Sequence, residues 1–311
     1  MATNGIEGGV ERRRGRRGRD SARHRGDRSG EPFERTFQAL GSLAYTGARV
    51  SASAADLDSG EVLVAIDETV SLPTAQLGNL LLLIEVATRL GDGSLSPVDE
   101  LRRDSASNDA TQVDDPRIGG LWSSLLTPTL TVLDAATLVG AVRDPVATNA
   151  LARRIGLDAV HARGESLGLR RTALLDLARA ERGPDDAPQI SVGSTLELRG
   201  ILADLVAGVC VDTSVSNRVL GWLSTGSDLS MVSSAFGLDP AGHRAQDHGL
   251  QLVNLTGAAP GVRAEAGALR GPSRGVSYAV TVAFDDLDLT TRLRVLEVMR
   301  VVGLDLLEHV G

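Results

Sequence analysis

The chain has 311 residues, enough for a substantial core, and a formal net charge of -8, which excludes a protein built over its whole surface to coat nucleic acid or an anionic membrane. Its single cysteine, Cys210, excludes an internal disulfide and lies in an apolar run, so it reads as a buried, inert thiol with no redox or thiolate-metal chemistry. All 32 basic residues are arginine, and without lysine any mechanism that needs a titratable amine is closed, because a guanidinium stays protonated.

Residues 1–34 are rich in glycine and arginine and lack apolar periodicity, which predicts a disordered tail. Its cluster from Arg12 to Arg19 is a candidate for contact with nucleic acid or an acidic surface, set against a simply solvated tail. Arginines stand where a secretory signal would place its apolar region, and the longest apolar run, Leu80 to Ala87, is interrupted by Glu85, short of the roughly 20 residues of a membrane span. The expectation is a cytoplasmic protein.

Order is expected from about Glu31, where EPFERTFQALGSLAY has the pattern of an amphipathic helix with proline in its first turn. Arg49 to Leu57 and Glu61 to Ile66 alternate as strands around the turn Asp58-Ser59-Gly60. Leu77 to Leu90 is apolar nearly all round, the mark of a helix buried in the middle of the protein. Helices follow at Thr131 to Val142, Val146 to Ile155, Leu157 to Leu167, Thr195 to Leu205 and Ser214 to Leu223, an all-helical insertion. Leu250 to Leu255, Val262 to Leu269 and Val276 to Phe284 read as three antiparallel strands, and Leu289 to His309 as a closing helix. Strands at both ends with helices between predict one sheet assembled from distant segments.

Several chemical patterns dissolve on inspection. Gly271-Pro272-Ser273-Arg274-Gly275 matches a nucleophile elbow in spelling, but it joins two predicted strands rather than a strand and a helix, so it reads as a hairpin turn. His243 and His248, near Asp239 and Asp247, fit no metal-ligand spacing and read as solvated loop histidines. Gly91-Asp92-Gly93-Ser94 lacks the carboxylate ladder of a calcium loop, and Trp122 and Trp222 read as core or cleft-wall aromatics. No metal and no cofactor is expected.

In order along the chain, ADLDSGEVLVAIDETVSLPTA, RDPVATNALARRIGLDAVHARGESLGL, and LVNLTGAAPGVRAEAGALRG followed by VSYAVTVAF resemble the class A β-lactamase and penicillin-binding serine hydrolase superfamily. The resemblance covers roughly residues 35–310. It implies an α/β fold: a three-layer sandwich with an antiparallel five-stranded sheet flanked by helices, plus an all-helical subdomain. Residues 35–70 and 245–311 would form the α/β part, and 71–244 the mainly helical part.

That family works through a serine nucleophile with a lysine one helical turn on (S-x-x-K), a Ser-Asp-Asn loop and a Lys-Thr-Gly strand. By the resemblance the first motif falls on Gln76-Leu77-Gly78-Asn79, which puts amides in place of both the nucleophile and the lysine. The second falls on Arg143-Asp144-Pro145, keeping only the aspartate, and the third on Leu255-Thr256-Gly257. Thr74 has a hydroxyl but no neighbouring amine to deprotonate it. Between Arg171 and Ile190, where the family's Ω loop supplies a carboxylate, the candidates are Asp176, Glu181, Asp185 and Asp186, none in a recognisable context.

The reading is a catalytically inactive homologue with no catalytic residues, in which Gln76, Asn79, Arg143, Asp144, Pro145, Leu255, Thr256 and Gly257 line a degenerate cleft. These polar groups either bind an unidentified small molecule or protein, or hydrogen-bond one another and close the cleft. The alternative is an active β-lactamase-type hydrolase that uses other residues.

Overall fold

The computed structural model describes residues 32–103, 118–240 and 247–311. The chain opens with α1 (Glu34–Ala44), β1 (Arg49–Asp56), β2 (Val62–Ile66) and a short β3 (Leu72–Pro73), then a 3-10 turn (Ala75–Gly78) running into α2 (Asn79–Asp92). Next come β4 (Glu100–Arg102), α3 (Leu121–Ser124), β5 (Thr129–Thr131), α4 (Val132–Val142), α5 (Pro145–Ile155), α6 (Leu157–Ser166), β6 (Ala173–Leu174) and β7 (Ser191–Gly193). After α7 (Thr195–Ala207), α8 (Thr213–Leu223) and a second 3-10 turn (Val232–Ala235), the chain closes with β8 (Gln251–Ala259), β9 (Val262–Arg270), β10 (Gly275–Ala283) and α9 (Leu289–Val310).

The chain ends meet in one five-stranded sheet of order β2-β1-β10-β9-β8, antiparallel throughout, with β1 and β10 paired from Arg49 opposite Ala283 to Asp56 opposite Val276. Every residue of β10 is buried, so its two faces serve two cores. Val276, Tyr278, Val280 and Val282 pack with α1, α9 and the second 3-10 turn. On the other face Ala279 of β10 and Ala264 and Ala266 of β9 meet α7 and, beyond it, α2. Small side chains on that face let α7 lie close to the sheet, while the large ones fill the space under α1 and α9.

Helix boundaries follow capping chemistry. Thr131, Asp144, Ser194, Asp212 and Asp288 each accept a backbone N–H from the first turn of the helix they precede. Helix α2 is buried from Asn79 to Ala87, and its one buried charge, Glu85, is paired by Arg89 and Arg163. The predicted helices and strands are all present, with ends shifted by a few residues. Helix α7, read from sequence as part of a helical insertion, instead packs on β1, β9 and β10. The pairs β3–β7, β7–β6 and β4–β5 were not anticipated, because strands of two or three residues carry no periodicity. Among the described residues no helix is long and apolar enough to cross a membrane. The arginine cluster at Arg12 to Arg19 lies outside the described residues.

Candidate functional site

The turn before α2 is held in an unusual shape. Ala75 has φ 48°, a left-handed conformation that costs a residue with a Cβ about 1 kcal/mol. The buried Ser191 hydroxyl ties this turn down: it donates to Ala75 O at 2.5 Å, lies 2.7 Å from the Thr74 hydroxyl, and accepts from Gly78 N at 3.3 Å. Thr74 is thereby committed to a structural contact, with no base beside it.

Gln76 follows the strained residue, and its Oε1 accepts the backbone N–H of Ala258 on β8 at 2.9 Å. Gly257 makes this approach possible, since a Cβ there would collide with the Thr74 carbonyl oxygen. Three residues on, Asn79 is fully buried at the start of α2. Its Nδ2 donates to Thr148 Oγ1 at 3.1 Å, while its Oδ1 is buried without a hydrogen-bond partner. Both amides can donate or accept hydrogen bonds; neither can attack a carbonyl or take up a proton near neutral pH.

Asp144 is a scaffold residue. Its carboxylate accepts from Trp122 N at 2.8 Å, Val146 N at 3.0 Å and Ala147 N at 2.9 Å, which caps α5 and ties α3 to it, and Pro145 takes the first helical position. Arg143 ends α4 in a left-handed conformation, φ 55°, and points its guanidinium to Asp228, with Nη2 to Oδ2 at 2.8 Å. Thr256 Oγ1 on β8 donates to the same Oδ2 at 2.8 Å, and Ser230 N donates to Oδ1 at 3.0 Å. Burial alone would raise the Asp228 pKa, but the Ser230 hydrogen bonds, the Arg143 charge and the Thr256 hydroxyl outweigh it and hold it below the usual range. Leu255 is buried in the core beneath. The space left among Arg143, Asp228, Asn254 and Thr256 is about 10 Å³, room for one water at most.

The structure thus brings Gln76, Arg143, Thr256 and Gly257 together where α2, α4 and β8 meet, and it pairs the polar groups with protein partners. In the loop from 171 to 190, Asp176 is held by Arg179 and Arg182, and Asp186 by Arg179 and the Gly183 N–H. Glu181 and Asp185 are exposed. Asn149 anchors this loop through reciprocal bonds with the Ala178 backbone, at 2.9 and 2.8 Å. His248 is almost fully exposed, His243 and its neighbours lie outside the described residues, and among the described residues no group of three metal-ligating side chains occurs. Burial pushes the Cys210 thiol up to about 11.

Sequence reasoning missed two carboxyls. Asp228 sits in a loop of no recognisable motif. Glu265 is fully buried on β9, where its carboxyl accepts from Tyr278 Oη at 2.7 Å, Asn254 Nδ2 at 3.0 Å and Ser233 N at 3.3 Å. A lone glutamate between alanines in an apolar strand was the available signal.

Comparison with known proteins bears on this site. A model of the beta-lactamase enzyme family matches residues 32–310, nearly the whole described chain. The chain belongs to this family. Among solved structures, a β-lactamase from Sphaerobacter thermophilus superposes with a TM-score of 0.74 at 18% identity, covering 90% of this chain and 98% of the other. PBP-A superposes at 0.71 with 16% identity over 88% and 95% of the two chains, and the chromosome-encoded β-lactamase of Vibrio parahaemolyticus at 0.68 with 17% identity over 87% and 98%. These likenesses establish the α/β fold of the family, with its five-stranded antiparallel sheet. Among curated protein sequences none matches the chain.

Proposed function

We propose that this family member does not form an acyl-enzyme, and that its cleft is closed by its own side chains. One observation carries the reading. Acyl transfer at the start of α2 needs a nucleophile there and a free backbone N–H beside it to hold the tetrahedral oxyanion. Here the residue at that place, Gln76, has no nucleophilic atom, and its amide oxygen already occupies the N–H of Ala258. The Arg143–Asp228–Thr256 contacts support the same reading, because a ligand entering between α4 and β8 would have to part a short ion pair. Its role, in the cytoplasm, is then binding rather than catalysis.

The test is incubation of purified protein with a chromogenic cephalosporin and a fluorescent penicillin, followed by intact-mass measurement. The expected result is an unmodified mass and no turnover. A covalent adduct or hydrolysis above the spontaneous rate overturns the proposal and reveals a nucleophile other than Gln76.

A further inference from the structure

Among the described residues, ligand-sized space is found away from the junction of Arg143, Asp228 and Thr256. A hollow of about 470 Å³ opens between α6, the segment that follows it, and the β6–β7 pair. Leu81, Leu169, Leu175 and Val192 give it an apolar lining, with Leu81 wholly buried and the others half-buried. Arg170 and Arg171 stand on its wall, both exposed.

The backbone that carries these arginines is fixed. Helix α6 ends with Gly168 at φ 77°, Gly168 N donating to Glu165 O and Leu169 N to Gly164 O, a closure that aims the chain back over the hollow. The next two N–H groups, of Arg170 and Arg171, are gripped by the Glu197 carboxylate of α7 at 2.9 and 3.1 Å. Ser71 Oγ donates to Arg171 O at 2.7 Å. The Glu197 oxygens are thus engaged by the backbone of the arginines, and among the described residues neither guanidinium is engaged in an ion pair. His161 also lines the hollow, its Nε2 donating to Leu174 O at 2.6 Å. Glu165 on the rim is the one carboxylate in the lining.

We propose that this hollow binds a small organic anion, a carboxylate on an apolar or aromatic body. The apolar floor takes the body, and the two forked guanidiniums, carried on a backbone that is fixed before binding, take the carboxylate in paired hydrogen bonds. The proposal is independent of whether the cleft at Gln76 is active.

The experiment is an amide NMR titration of the ¹⁵N-labelled full chain with 2-naphthoate, and with 2-naphthol as its uncharged counterpart. The expected result is saturable shifts centred on residues 169–175 and Val192, with naphthoate binding about tenfold tighter than naphthol. Arg170→Ser and Arg171→Ser, exposed changes that leave the melting temperature alone, should each weaken naphthoate about tenfold and leave naphthol unmoved. Equal binding of the two probes, undiminished naphthoate binding in both variants, absence of saturable shifts, or shifts centred instead on the second hollow beside Leu220 and Val253 would each overturn the proposal.

Discussion

Two carboxyl groups are served by the same side of one strand, and they live in opposite electrostatic worlds. On β8, Asn254 and Thr256 are two residues apart and so share a face. Asn254 donates to Glu265, fully buried on the neighbouring strand β9; Thr256 donates to Asp228, beside Arg143. Asp228 has a cation, Arg143, and its pKa is lowered. Glu265 has hydrogen-bond donors but no cation, and burial raises its pKa despite the bonds from Tyr278, Asn254 and Ser233. The contrast teaches that hydrogen bonds alone do not offset the full burial of a carboxyl, whereas at a half-buried one the Ser230 hydrogen bonds together with the Arg143 charge do.

The largest effect should come from emptying the buried position. Glu265→Leu leaves the Tyr278 hydroxyl and the Ser233 N–H without their acceptor, while Asn254 Nδ2 keeps Asp228 O and Ser233 Oγ, and should cost about 4 kcal/mol in urea unfolding, from roughly 1–3 kcal/mol per orphaned group. Glu265→Gln keeps an oxygen for Tyr278 and Asn254 and should cost much less. It also exposes the charge state. Because the folded pKa of Glu265 is raised, the stability it contributes is fully present below the unfolded carboxyl value of about 4.3 and is lost as pH rises through the folded value. The glutamine variant lacks that loss, so its deficit against the native protein should narrow from pH 4 to pH 8. A deficit independent of pH would mean that Glu265 is ionised in the folded state.

The other side of β8 supplies the next test. Gly257→Ala sets a methyl against the Thr74 carbonyl and forces the strand off the turn that presents Gln76. Overpacking of this kind costs about 3 kcal/mol, and the contact between Gln76 and the Ala258 N–H should break. Hydrogen exchange at Ala258 reads the second consequence directly: its amide should exchange faster relative to its neighbours on β8. An unchanged protection pattern would mean that the turn, not the strand, yields.

Much of the architecture was legible in the sequence because it rests on local rules. The run from Leu77 to Leu90 is a buried helix by its all-round apolar character, and the turn Asp58-Ser59-Gly60 between two alternating runs marks the β1–β2 hairpin. What was not legible depends on distant parts meeting. Helix α7 gives no sequence sign that it will lie on the sheet, since an apolar face fits a helix or a sheet equally well. Gln76 and Asn79 could be placed at the site through family resemblance, but not the capture of the Ala258 N–H, which is 182 residues away. Asp228 carries no motif at all, and its importance comes from Arg143, 85 residues earlier, and Thr256, 28 later.

The smallest effect is the most discriminating for the cleft. Asp228→Asn preserves an acceptor for Thr256 and removes only the charge opposite Arg143. Both side chains are about a fifth exposed, so water screens the pair and the loss should be about 1 kcal/mol. The dependence on acid is the reverse of that at Glu265. A carboxyl whose folded pKa is lowered contributes stability that is present above its unfolded value, about 3.9, and is lost as pH falls through the folded value. The difference between native protein and Asp228→Asn should therefore hold steady from pH 8 to pH 5 and close as the pH approaches 2. If it closed instead toward alkaline pH, the charge paired with Arg143 would not be that of Asp228. With the pair removed, Arg143 is also freed at the mouth of the cleft, and added chloride or sulfate should stabilise the variant more than the native protein by occupying it.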